Sequence, residues 1–353
     1  MTPPYNLRMF DIAGRPLDRF HATFNCSWAM NEWGTAEWEM ACADEKASKR
    51  NFNFGRYVLF EHARLGKWGG VINPQEGMSG TWENKVVLHA RSGEYQLSRR
   101  YAPLYDANNN SLGAVHGTAG QLARQLIYYA NLPGDSLIRP GNIDDGGKET
   151  MLLLQDANLR DMMDILVRRT GYDWWMEPFL EYGNLRFALN FQERRGVDAG
   201  YVLRERVNIR KKGGDLWRRC GELVNDTRVV GGNGSIPLKA RGEAVSRSSI
   251  DQYGVWQGYD TVESENPDIA QMRADEQVSQ QGDLPYELML EAIESRQSPD
   301  TFSYIGMGDT VTARIDTARF YGEQKGIHER CRILTREYNT KANACILTVE
   351  VLT

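Results

Sequence analysis

The sequence predicts an α+β, β-rich protein in which two antiparallel β-barrel domains flank a smaller α+β domain. Three observations carry this expectation. Residues 1–103 alternate apolar and polar side chains strand after strand, with almost no helical periodicity. Helical spacing is concentrated in residues 104–215. Beyond residue 216 the chain returns to strands, and there a Gly-x-x-Val strand followed by two longer strands echoes the plan of Gly55–Tyr101. The expected domains are therefore a first barrel over 1–103, an α+β domain over 104–215, and a second barrel over 216–353 with a helical insertion near 266–281.

The first barrel opens with a strand over 5–12 that turns at Gly14-Arg15-Pro16. Ala22, Phe24, Cys26 and Trp28 then share one face of a second strand, and Asn31-Glu32-Trp33-Gly34 reads as a turn. In the next strand Ala36, Trp38, Met40 and Cys42 face inward, with Glu37 and Glu39 outward. After a solvated loop, Val58, Leu59 and Phe60 leave both faces apolar, as in a strand covered on two sides. Gly66-Lys67 suits a type II′ hairpin turn. Trp82, Val86, Leu88 and Ala90 oppose Glu83, Lys85, His89 and Arg91 across a further strand. Ser92-Gly93 reads as another two-residue turn, after which EYQLSRRY is expected to pair back.

In the middle domain, Thr118 with Gln121 forms a capping box before Leu122, Leu126 and Ile127, and that helix should end near Asn131 and Pro133. Residues 133–150 read as a loop of several turns. Leu159, Met162, Met163, Leu166 and Val167 then follow helical spacing, with Asn158 as cap and Gly171 as stop. Two strands joined around Gly183 complete the domain. In the last third, 222–233 reads as a strand, and Asn266-Pro267 opens a helix to about Gln281. Residues 285–293 form a strand, and three more follow. Their inward sets are Val311, Ala313 and Ile315, then Ile327, Cys331 and Ile333, then Cys345, Leu347, Val349 and Val351.

Composition narrows the function. At 353 residues, 41% hydrophobic and 25% charged, the chain can bury sizeable cores and is not disordered. A net charge of −5 argues against a dedicated nucleic-acid binder. Cys26, Cys42, Cys220, Cys331 and Cys345 stand singly, which fits buried reduced thiols better than a disulfide framework or a zinc site. No apolar run approaches the ~20 residues of a membrane span, and the first residues do not read as a signal peptide. We therefore expect a chain made in the cytoplasm.

No catalytic, cofactor-binding or metal-ligating set emerges. Asp106–Gly113 has alternating oxygen ligands but lacks the glycine and closing Glu of a calcium loop, and reads as an Asx-rich loop. Asp144-Asp145 reads as a turn. His62 and His89 lie on strands of one meander and could meet, yet no carboxylate or thiol completes a ligand pattern. Glu177 and Glu181, after Trp174 and Trp175, superficially suggest a glycosidase pair. The glycine-rich loop in VVGGNGSIPL lacks the lysine and serine of a phosphate-binding loop, and the basic stretch RKKGGDLWRR is short enough to be a solvated linker.

Taken in order, eight stretches resemble the tail-hub (baseplate hub, or tail-associated) proteins of tailed bacteriophages and their relatives in phage-like injection particles. They are WGTAEWEMA, GRYVLFEHARLGKWGGVI with EYQLSRRY, LRDMMDILVRRTGYDWWME, VNDTRVVGGN, and the terminal GDTVTARID, CRILTREY and ILTVEVL. The resemblance covers nearly the whole chain and lies in order and pattern, with no invariant catalytic residue. It implies two tail-tube-like barrels and a homotrimeric ring that presents six barrels to the tail tube or distal tail protein, and threefold symmetry to a fibre or spike. It also implies a structural, non-enzymatic protein of the virion tail tip, without cofactor, through whose lumen DNA passes transiently. Because the chain stops at the second barrel, any wall-degrading activity is expected on another polypeptide. Two alternatives stand beside this reading. One is a carbohydrate-binding or wall-degrading tail module using Trp174, Trp175 and Glu177; the other is the hub of a phage-like secretion system.

Overall fold

A computed structural model describes residues 5–48, 51–73, 78–80, 84–103, 114–145, 149–153, 158–210, 216–219, 222–231, 240–262, 266–320 and 324–352. The chain parts into two compact units, Met1–Gly214 with Met289–Thr353, and Asp215–Leu288. A break falls at 214/215, next to the expected boundary there, none falls at 103, and a further one falls at 288/289. The last third is not one body: its first half stands alone, and its second half joins the N-terminal two thirds.

In the larger unit, β1 (Tyr5–Phe10), β2 (Pro16–Phe20), β3 (Thr23–Ala29), β4 (Thr35–Ala41), β5 (Tyr57–His62), β6 (Gly66–Ile72), β7 (Met78–Gly80) and β8 (Lys85–Ser92) form the first lobe. Their order is β3-β4-β8-β6-β5-β1-β2, with β7 also on β8. In a flat sheet β3 and β5 would lie about 19 Å apart, at about 4.8 Å per strand. Yet Phe24 of β3 stacks on Phe60 of β5 with ring centroids 5.2 Å apart, and Phe20 of β2 meets Trp38 of β4 at 6.3 Å. Trp68 of β6 also donates its indole N–H to the Ser27 carbonyl at 2.8 Å. The sheet is therefore curled around an aromatic core. β5 is buried on both faces as expected: Phe60 joins that core, while Tyr57 and Leu59 join the core of the neighbouring α+β layer.

EYQLSRRY does not pair back. It carries the one-turn helix α1 (Tyr95–Ser98), because the Glu94 carboxylate turns inward and accepts the Ser92 hydroxyl at 2.5 Å and the Met176 N–H at 2.8 Å. Gly93 lies flush on Phe187, where a Cβ would sit 2.4 Å from the ring. The chain then enters the α+β layer: β9 (Ala114–Thr118), α2 (Ala119–Asn131), β10 (Ile138–Ile143), β11 (Glu149–Leu153), α3 (Leu159–Thr170), β12 (Asp173–Glu181) and β13 (Asn184–Gln192). Both hydrogen bonds of the Thr118–Gln121 capping box are present; Asn158 caps α3, and Gly171 ends it in the left-handed region. Part of 133–150, expected as loop, is instead β10 and β11. β10 is an edge strand parallel to β13, and its IRPGNI sequence shows no alternation and holds a proline that edges tolerate.

The remaining elements are β14 (Asp198–Arg204), β15 (Ile209–Arg210), β16 (Trp217–Arg219), β17 (Asp226–Gly231), β18 (Ala240–Val245), α4 (Arg247–Tyr253), β19 (Gln257–Val262), α5 (Pro267–Gln281), β20 (Tyr286–Ile293), β21 (Thr310–Phe320), β22 (Gln324–Asn339) and β23 (Ala344–Val351). The second lobe runs β14-β21-β22-β23-β20-β15. Its expected inward residues are buried from Val311 to Val349; Val351 is half-buried. In the smaller unit a sheet ordered β18-β17-β19 is covered by α5, around Val229, Ala240, Ala270 and Ala274. The α5 helix starts with Pro267 as expected. The strand expected over 222–233 is β17, and the residues beyond Gly231 lie outside those described.

Candidate assembly site

β22 is the longest strand, and it serves both lobes. Its first half pairs with β21, while Thr335–Asn339 pair with Ala29–Asn25 of β3, so one continuous sheet runs through both lobes. A β-bulge between Ile333 and Thr335 makes this possible. Before it, Cys331 and Ile333 face the second core; after it, Arg336 and Tyr338 are the buried positions, and Tyr338 packs on Phe60 of the first. Without the extra residue Arg336 would have pointed to solvent, which is why the sequence pattern gave no sign of it.

Arg336 is 5% exposed. Its guanidinium donates to the Leu65 carbonyl at 2.9 Å and the Ile305 carbonyl at 3.1 Å, and lies 4.0 Å from the Trp28 ring centroid. Burial pushes its pKa down. A second charged group ties the α+β layer to the same seam. The Asp173 carboxylate accepts from the Arg332 guanidinium, from the Arg195 N–H at 2.7 Å and from the Asn31 side chain at 3.3 Å. Burial also lifts the Glu94 carboxyl above its usual range and lowers Arg195 to about 10. These groups stitch one turn, one strand and one layer together. Most of their bonds run to backbone groups and to one another, while Arg195 lies 4.9 Å from the Trp175 ring centroid and, with Glu94, borders a narrow gap beside Trp28 and Trp68.

The outer face of the joined sheet is a polar wall. Asn339, Asn25, Glu37 and His89 fall in one row across β22, β3, β4 and β8. They border a concavity of about 510 Å³ that also includes Ser27, Thr35 and Glu337. Glu37 pairs with His89 at 3.6 Å and Glu39 with Lys85 at 3.4 Å, so acid and base are interspersed.

The residues singled out for chemistry are dispersed. His62 is buried, its Nδ1 accepts the Arg64 and Leu65 N–H groups, and burial with nearby Arg64 lowers its pKa to about 4. His89 lies on the polar wall, with a different set of partners. Glu177 accepts from the Trp175 indole at 2.8 Å, and Glu181 faces Arg186 and Arg139. Trp174 is fully buried and Trp175 is 7% exposed, so no groove of exposed tryptophan accompanies these carboxylates. Asp145 is held by Arg124. Asp106–Gly113, Cys220 and most of the VVGGNGSIPL loop lie outside the described residues. Among the described residues no group of three His, Cys, Asp or Glu is placed to hold a metal.

No protein-family model and no curated protein matches the chain. Solved structures do. The 43 kDa tail protein of prophage MuSo2 from Shewanella oneidensis superposes with a TM-score of 0.59 at 10% identity, over 98% of this chain and 98% of that one. Prophage tail protein gp18 from Listeria monocytogenes EGD-e gives 0.55 at 13% identity, over 98% and 94%. An E. coli component of the type VI secretion system, itself described as similar to the T4 tail proteins gp27 and gp5, gives 0.50 at 9% identity, over 100% and 75%. At such identities the likeness is one of fold. Over essentially its whole length, the chain has the fold of these tail proteins.

Proposed function

We propose that this chain is a structural hub protein of a phage tail tip or baseplate, three copies of which form a ring. Each copy contributes two barrels, so the ring offers six to a tail tube or distal tail protein and threefold symmetry to a fibre or spike. The observation that carries the reading is the β22–β3 joint, which fuses the two lobes edge to edge into one curved wall. An exposed sheet edge is an aggregation hazard, and a ring of such joints leaves none open. The mixed-charge wall, on which Lys85 is paired with Glu39, suits a conduit along which DNA slides, since phosphate contacts by free cations dominate non-specific affinity. In this reading the protein is no enzyme and holds no cofactor, and it works in the virion tail after assembly in the host cytoplasm. The fold shared with a type VI component favours a second reading, the same hub role in a phage-like injection system. Burial of Trp174 and Trp175 weighs against a glycan-binding module.

The test is imaging of the purified protein at high concentration, or of the particle. A threefold ring with pseudo-sixfold barrel density is expected. Six identical copies around the axis, one barrel per chain, or cell-wall hydrolysis abolished by Glu177→Gln would overturn the reading.

A further inference from the structure

The two lobes repeat one another residue by residue. The Gly55 N–H donates to the Ile72 carbonyl at 3.3 Å, and the Ile72 N–H to the Arg56 carbonyl at 2.8 Å. In the second lobe the Gly308 N–H donates to the Ile333 carbonyl at 3.0 Å, and the Ile333 N–H to the Asp309 carbonyl at 3.0 Å. Both glycines have left-handed backbones, with φ of 79° and 80°. The pairs Tyr57–Val71 and Val58–Gly70 match Thr310–Arg332 and Val311–Cys331, and Ile72–Ala90 matches Ile333–Val349. Both ladders then break at the same place. In the second lobe the break is the bulge; in the first, residues 73–77 intervene in the sequence. Pairing resumes as Met78–Leu88, Ser79–Val87 and Gly80–Val86, matching Arg336–Leu347, Glu337–Ile346 and Tyr338–Cys345. The short strand β7 is thus the first lobe's counterpart of the part of β22 that receives β3.

On β22 that receiving edge is occupied from within the chain. Among the described residues β7 pairs only with β8, leaving its other edge open. We infer that the open edge of β7 receives a strand from the second lobe of a neighbouring copy, repeating between chains the joint that β22 and β3 make within one. The strand edge that fits is the one formed by β15 and β16, which stand to β20 and β23 as β3 stands to β4 and β8. This rests on the ring proposed above and locates its contact between subunits.

The internal joint also fixes which backbone groups take part. The Met30 N–H reaches the Leu334 carbonyl, and the Thr340 N–H reaches the Phe24 carbonyl, so positions 334, 336, 338 and 340 turn their groups toward β3. By the match above, Met78 and Gly80 turn theirs toward the open edge, while Ser79 faces β8. Met78→Pro removes one outward donor and crowds the edge, yet spares the β7–β8 ladder. Sedimentation of the full chain should show wild type as a ring and Met78→Pro as a monomer of about one third the mass, with an unchanged circular dichroism spectrum. Hydrogen exchange on wild type provides a second reading: the Met78 and Gly80 amides should be protected in the ring and exchange freely at dilutions where it dissociates. A Met78→Pro ring of wild-type mass, or equal exchange of both amides in ring and monomer, would place the joint elsewhere while leaving the ring standing. A wild type that never self-associates would remove the ring and the joint together.

Discussion

Arg336 is the residue on which the junction of the two lobes most depends. Two carbonyls, from the buried residues Leu65 and Ile305, accept hydrogen bonds from it. Arg336→Met keeps much of the volume and strands both acceptors. A buried unsatisfied group costs about 1–3 kcal/mol, so a loss of about 2–5 kcal/mol is expected in denaturant unfolding. A loss below about 0.5 kcal/mol would mean that the two bonds carry nothing. His62 gives the residue scale a pH signature. Held neutral in the fold at a pKa of about 4, against an ordinary 6.5, it binds a proton more readily in the unfolded chain. Its contribution is therefore complete above about pH 6.5 and is lost as pH falls toward 4. His62→Gln should flatten the melting temperature across that window; an unchanged slope would assign the acid sensitivity to other groups.

Among elements, those legible in the sequence were the ones whose local chemistry and tertiary role agree. β4 alternates without exception, and α2 and α3 carry their caps in their own residues. What was illegible had been set from elsewhere in the chain. α1 exists because Glu94 finds the Met176 amide, 82 positions away. β10 is a strand because β13 offers a parallel edge, and the inward turn of Arg336 follows from a one-residue bulge that no composition reveals. The candidate site was hidden for the same reason: its charged members, Asp173, Arg332 and Arg336, come together only through the joint. Cysteines test the strand assignments directly. Cys26, Cys331 and Cys345 are buried, and burial pushes the latter two up to about 12. Cys42, expected inside, is exposed because it lies just past the end of β4 at Ala41. Thiol labelling of native protein should modify Cys42 quickly and those three only on unfolding. Rapid labelling of Cys26 would shift β3 by one residue and reverse its faces.

For the whole molecule, the continuous sheet makes the two lobes of the larger unit one cooperative body, while Asp215–Leu288 has a core of its own. That separate core is small and alanine-rich, formed by Val229, Ala240, Ala270 and Ala274, whereas the larger unit buries clustered tryptophan and phenylalanine. Apolar burial stabilises by about 25 cal/mol per Å², so the smaller unit should open at a lower free energy. Native-state hydrogen exchange would measure this as two classes. Amides of β3, β5, β22 and β23 should share the slowest exchange, because opening any of them breaks the joint. Amides of β17 and α5 should exchange sooner, in a class with a smaller denaturant dependence, since less surface is exposed. If β17 were protected as strongly as β22, the chain would unfold as one piece. If β5 and β23 fell into different classes, the joint would not couple the lobes, and Arg336→Met should then destabilise only one of them.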